Sequence, residues 1–112
     1  LLGRHGFHVH TTASAEEAVK LARLYHHDII LLSQEFDEMP GTELLEKMRL
    51  GRVQTPAVVM TRSVELSTKL AAFRAGADDI LCSPFSNDEL MARVHAVVRR
   101  ANGHGASRIR IG

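Results

Sequence analysis

Three short apolar runs, Ile29 to Leu32, Ala57 to Met60 and Ile80 to Cys82, are each followed by a segment with helical periodicity. An unbroken apolar run of this length, bounded by turn residues, reads as a strand covered on both faces. Strands that alternate with helices through short loops build a parallel sheet with helices packed on both sides. An earlier strand and helix complete the series. Phe7-His8-Val9-His10 alternates as a short strand does, and Ser14 with Glu17 forms a capping box. Ala18, Leu21, Ala22 and Tyr25 then predict a helix over about Ala15 to His26. Leu1 to Gly6 resembles the tail of a preceding helix, with Gly3 or Gly6 as its cap.

The remaining helices follow the same rules. Leu44, Leu45 and Met48 mark a short helix that ends near Gly51. Ser63 to Ala75 reads as a helix stopped by Gly76, and Ser86 with Glu89 forms a second capping box. Leu90, Val94, Val97, Val98 and Ala101 give the last helix its apolar stripe. Asn102 to Ser107 reads as a linker, and Arg108 to Gly112 alternates as the opening of another unit does. The first residue is Leu1, not methionine, so both ends read as cut. Sheets of this kind place their sites at the carboxyl ends of the strands. Thr11, Thr12, Ser33, Thr61 and Ser83 lie at or near such ends.

Composition narrows the class. The chain has 112 residues, 45% hydrophobic and 24% charged, which suits one domain with an aliphatic core. No apolar run approaches the ~20 residues that cross a membrane, and there is no signal peptide pattern. The single cysteine, Cys82, cannot form an internal disulfide, which points to the cytoplasm. A net charge of +1 offers no electrostatic footprint for nucleic acid over this stretch.

Several stretches together resemble the receiver domain of two-component response regulators. They are Asp28-Ile-Ile-Leu-Leu-Ser33, the loop through Met39-Pro40-Gly41, Thr55 to Thr61, and Ala75 to Arg100. The last is the most specific, with Gly76-Ala77-Asp78-Asp79, Pro84-Phe85 and Glu89-Leu90 ahead of Ala92-Arg93. The chain looks like the OmpR/PhoB class, and within it the CtrA-type cell-cycle regulators. The resemblance implies a flavodoxin-like (CheY-like) α/β fold, a doubly wound parallel sheet with helices on both faces. On that pattern the first strand and most of the first helix are missing from the chain. The absent strand would lie between the strands at residues 7–10 and 28–32, so the gap is expected to be closed by upstream residues, by a strand from another copy, or by direct pairing of those two strands.

Measured against that family, the site is degenerate. The phosphoacceptor aspartate corresponds to Ser33, the conserved lysine to Ser83 and the aromatic switch to Ile80. Only the switch hydroxyl, Thr61, keeps the family type. A working receiver holds Mg²⁺ with carboxylates, because a hard cation takes oxygen ligands and offsets the incoming phosphoryl charge. Without the acceptor and the acidic pair, no cofactor and no Mg²⁺ are expected, and no catalytic residue is assigned. Glu35, Asp37 and Glu38 lie near Ser33 and read as a solvated acidic loop.

The resemblance also implies a dimer face built from Lys69, Asp79, Glu89 and Arg93. Its expected intersubunit pairs are Lys69 with Glu89 and Asp79 with Arg93. Exposed pairs contribute only ~0–1 kcal/mol each, so they set register more than affinity. Seven histidines, among them His8, His10, His26 and His27, show no firm metal spacing and read as surface residues. Cys82 reads as a small core residue. Ser33 and Ser83 have no histidine base at a neighbouring strand end, which argues against a hydrolase. The chain is expected to be a non-enzymatic, atypical receiver domain over residues 1–101, with a linker over 102–112. It would dimerise or dock on a histidine kinase, phosphotransferase or other regulator, and reach DNA only through a following winged-helix domain. Two alternatives are a stand-alone interaction module and a receiver phosphorylated on another carboxylate.

Overall fold

The computed structural model describes residues 17–19, 28–35 and 39–111, with side chains described as far as Ala101. Strand β1 (Ile30–Ser33), helix α1 (Gly41–Leu50), strand β2 (Ala57–Thr61), helix α2 (Leu66–Ala75), strand β3 (Asp79–Cys82) and helix α3 (Asn87–Ile111) follow in order. The three strands are parallel in the order β1-β2-β3. Ile30 pairs with Ala57 and Ser33 with Met60 across the first ladder; Val58 pairs with Asp79 and Thr61 with Cys82 across the second.

Strand alternation sorts the apolar residues into two layers. Leu32, Ala57, Val59 and Ile80 pack with Leu44, Leu45 and Met48 of α1 and with Ala72 and Ala75 of α2. Val58 and Leu81 turn the other way, onto Leu90, Val94 and Val97 of α3. Both sheet faces are therefore covered, which is why the strands read as unbroken apolar runs. The doubly wound parallel arrangement expected from the sequence is the arrangement observed. Residues 17–19 are helical, within the helix expected over 15–26, and Ala18 and Val19 pack against the first layer. The expected strand at 7–10, the capping serine Ser14 and the gap beside β1 lie outside the described residues.

Helix α1 ends at Leu50 beside Gly51, as expected, whereas the start of α2 and the end of α3 differ from expectation. At the end of α1, Gly51 keeps a φ of −81°, and Arg52 takes the left-handed conformation at φ 67°. The Val53 amide donates to the Met48 carbonyl and the Arg52 amide to that of Arg49, both at 3.0 Å, so Arg52 occupies the cap position usually given to glycine. Helix α2 begins at Leu66, not Ser63, because local bonds hold the preceding turn out of the helix. The Ser63 hydroxyl accepts the Glu65 amide at 3.2 Å, and Thr61 Oγ1 accepts the Ser63 amide at 3.0 Å. Helix α3 starts as expected, with Ser86 Oγ accepting the Glu89 amide at 3.1 Å. It runs on to Ile111, through the segment where Gly103 and Gly105 predict a linker. Glycine weakens a helix by only about 1 kcal/mol per residue, which does not compel a stop.

The amino end of the sheet is tied by Arg49, a residue that sequence reasoning did not single out. Its Nη1 donates to the Val53 carbonyl at 2.8 Å and the Thr55 carbonyl at 2.7 Å, and its Nη2 donates to the Gly76 carbonyl at 2.8 Å. Asp78 stands 3.6 Å from Nη2, and its Oδ2 accepts the Ala57 amide at 2.8 Å. Gly76 caps α2 at φ 109°, and a Cβ there would lie 2.8 Å from Arg49 Nε. Burial lowers the Arg49 pKa from its ordinary value, and the charge of Asp78 opposes that shift. Replacement of Arg49 by alanine is expected to lower stability by about 2–3 kcal/mol, read from the urea midpoint at unchanged slope. Arg49→Lys should recover less than half of that loss, because an ammonium cannot reproduce the planar fork.

Candidate functional site

The carboxyl ends of β1, β2 and β3 bring Ser33, Thr61 and Cys82 to one edge of the sheet. The strand ladders extend one bond past these residues: the Gln34 amide donates to the Met60 carbonyl and the Ser83 amide to the Thr61 carbonyl, each at 2.8 Å. The loop after β1 folds back over this edge. Gln34 accepts the Gly41 amide on its carbonyl at 3.2 Å and the Thr42 amide on its side chain at 2.9 Å. Gly41 is required there by close approach, since a Cβ would collide with the Ser33 carbonyl.

Thr61 is the one buried polar side chain among the described residues, at 1% exposure. Its hydroxyl donates to Glu35 Oε2 at 2.9 Å, while the Arg62 amide donates to Oε1 at 3.2 Å. The Glu35 amide in turn donates to Ser33 Oγ at 3.2 Å. Glu35 is thus exposed without being merely solvated, which corrects its reading as part of a free acidic loop. The reason is tertiary: 26 residues separate it from Thr61, and only the parallel pairing of β1 and β2 makes them neighbours. Asp37 and Glu38 lie outside the described residues.

The other sequence-assigned positions are placed as follows. Ile80 is buried in the first layer. Ser83 is exposed and precedes Pro84 through a cis peptide bond. Cys82 is half-buried at the edge of the first layer, and its thiol donates to the Ser63 carbonyl at 3.3 Å. Among the described residues Glu35 is the single carboxylate brought to this edge, and each of its oxygens accepts a hydrogen bond. No group of three or more His, Cys, Asp or Glu occurs among the described residues, so these alone do not make up the oxygen set that Mg²⁺ takes.

Lys69, Asp79, Glu89 and Arg93 lie on α2, β3 and α3. Asp79 and Arg93, the second expected intersubunit pair, are in contact within the single chain. Arg93 Nη1 donates to Asp79 Oδ2 at 3.1 Å and Oδ1 at 3.3 Å. Arg93 Nε lies 3.6 Å from Glu89 Oε2, a charge contact too long for a hydrogen bond. Asp79, by its hydrogen bond first and its charge second, holds the Arg93 pKa above its ordinary value. Helix α2 also exposes Leu66, Leu70 and Phe73 at helical spacing, with Val64 just ahead of them. Sequence reasoning did not single out this stripe, because apolar residues of a helix pattern read by default as core. Among the described residues no helix is long and apolar enough to cross a membrane.

Residues 1–95 match the family model of the response regulator receiver domain. The chain is 42% identical over all 112 residues to the cell cycle transcriptional regulator CtrA of Caulobacter vibrioides, covering 48% of it. It is 41% identical over the same length to the cell cycle response regulator CtrA of Brucella ovis, again covering 48%. The crystal structure of a two-component response regulator from Clostridium difficile superposes with a TM-score of 0.81 at 31% identity, covering 90% of this chain and 83% of that one. The chain therefore spans about half the length of the curated relatives it matches. Replacing Gly41 with alanine should cost about 1–3 kcal/mol in a denaturation titration, because the loop must retreat from the Ser33 carbonyl.

Proposed function

The chain belongs to the response regulator receiver family, and from that premise we propose that it is an atypical receiver whose output does not depend on phosphorylation. It serves as the regulatory domain of a CtrA-like transcription regulator, and works by self-association or by docking on a histidine kinase, phosphotransferase or other regulator. One observation carries this reading. At the sheet edge where the family keeps its acceptor, Ser33 offers only a hydroxyl, and the nearby carboxylate of Glu35 is already bound to Thr61 and Arg62.

The chemistry supports it. A serine hydroxyl is a weaker nucleophile than a carboxylate at neutral pH and needs an activating base. Ser83, where the family carries a lysine, brings no positive charge to stabilise phosphoryl oxygens. The engagement of Glu35 also weighs against the alternative in which it replaces the acceptor.

The face proposed for self-association is the edge formed by α2, β3 and α3. It combines the exposed Leu66, Leu70 and Phe73 with Lys69 and Glu89. Lys69 with Glu89 and Asp79 with Arg93 are the pairs proposed to cross the interface, Arg93 exchanging the Asp79 of its own chain for the partner's Asp79. DNA binding is proposed for a winged-helix domain joined through residues 102–112, and the setting is the cytoplasm. A stand-alone interaction module remains the alternative wherever no such domain follows.

Intact mass after incubation with Mg²⁺ and acetyl phosphate tests the central claim. The protein is expected to stay unmodified, beside a Ser33→Asp, Ser83→Lys variant as comparison; a hydroxylamine-labile phosphoryl group on the unaltered chain would overturn the reading. For the interface, Lys69→Glu should weaken self-association by up to about fivefold, as an exposed pair of ~1 kcal/mol allows. The swap Lys69→Glu, Glu89→Lys should restore it.

A further inference from the structure

The hydroxyl of Thr61 has one proton, and its surroundings leave that proton a single direction. One lone pair of Oγ1 already accepts the Ser63 amide at 3.0 Å, and the side chain is 1% exposed. The proton goes to Glu35 Oε2 at 2.9 Å, while Oε1 takes the Arg62 amide at 3.2 Å. Ser63 extends the chain of bonds. Its hydroxyl lies 3.1 Å from Thr68 Oγ1 and accepts the Glu65 amide at 3.2 Å, and its carbonyl accepts the Cys82 thiol at 3.3 Å. A continuous hydrogen-bonded path therefore runs from a carboxylate after β1, through the end of β2, into the first turn of α2. The exposed Leu66, Leu70 and Phe73 lie on that helix.

We infer that Glu35 is a built-in anion: its carboxylate takes the hydrogen bonds that the end of β2 offers to an anionic oxygen, and through Thr61 and Ser63 it positions the start of α2 and the apolar face that α2 carries. This rests on the proposed reading of the chain as a receiver that works without phosphorylation. The physical basis is the strength of a charged acceptor. A hydroxyl or amide bonded to a carboxylate is held about twice as strongly as one bonded to a neutral group. A buried hydroxyl with no acceptor is penalised, so Thr61 keeps its orientation as long as Glu35 stays in place. Ser33 contributes by holding the Glu35 amide on its own hydroxyl. Glu35 is a positioning residue here, and no ligand is needed to set the α2 face.

The test compares the unaltered chain with Glu35→Ala, Glu35→Gln, Ser63→Ala and the exposed-carboxylate control Glu46→Ala, by ¹H–¹⁵N amide spectra and sedimentation equilibrium. Glu35→Ala is expected to shift the amide resonances from Arg62 through Thr68 and to weaken self-association by about fivefold or more. Glu35→Gln removes the charge and leaves one acceptor oxygen for the two donors, the Thr61 hydroxyl and the Arg62 amide. It is expected to lose self-association as well, by less than Glu35→Ala, and full retention would overturn the role of the charge. Ser63→Ala should reproduce the Glu35→Ala effect, and the double variant should be no weaker than either single one, as residues in one path require. Shifts confined to Arg62, additive losses in the double variant, or an equal loss in Glu46→Ala would overturn the inference. If the unaltered chain stays monomeric or takes up an acyl phosphate, the proposed function fails instead, and the amide shift at Thr68 alone decides whether the path exists.

Discussion

A single guanidinium holds together the end of the sheet where the chain enters its strands. Arg49 leaves the last turn of α1 and donates to three backbone carbonyls, at Val53, Thr55 and Gly76, in the loops that lead into β2 and β3. Those carbonyls have no strand partner of their own, and an unpaired backbone group near the core costs free energy. The planar fork answers three of them at once, and Asp78 supplies the compensating charge while binding the Ala57 amide. Gly76 makes room for the arrangement, since a Cβ at that position would strike the guanidinium. With the entry loops pinned, β2 and β3 start in register, and their far ends arrive together.

That register is what gives the opposite end its chemistry. Pairing of Ser33 with Met60 and of Thr61 with Cys82 brings the loops after β1, β2 and β3 side by side. One buried hydroxyl then stands against one carboxylate in a place where the family uses several charged groups. On the proposed reading, the chain keeps the receiver scaffold and the hydroxyl of Thr61, with neutral groups at Ser33 and Ser83. An anion supplied from within the chain suits such a site, because it satisfies the same donors without a metal ion or a reactive acyl bond.

The surface beside β3 follows from the same geometry. β3 forms one edge of the described sheet, flanked by α2 on one face and α3 on the other. The Asp79–Arg93 pair ties α3 to that edge strand within one chain. Its apolar part, Leu66, Leu70 and Phe73, lies on the helix whose start is tied to Thr61 through Ser63. Sheet edge, site and surface are thus joined by one series of hydrogen bonds.

Local pattern alone determined the fold class, the position of every described strand to within a residue, and the faces of α1 and α3. Each of these depends on the spacing of apolar residues, which the sequence displays directly. The identities at Ser33, Thr61 and Ser83 were equally legible, because each stands at the end of an apolar run or before a proline. What local pattern could not supply were contacts between residues far apart in the chain. The partner of Thr61, the Gly76 carbonyl reached by Arg49, and the contact of Asp79 with Arg93 depend on strand register and helix placement, 26, 27 and 14 residues away. The late start of α2 was hidden for a different, local reason: the bond from the Ser63 amide to Thr61 Oγ1 outweighs the helical periodicity from Ser63 onward.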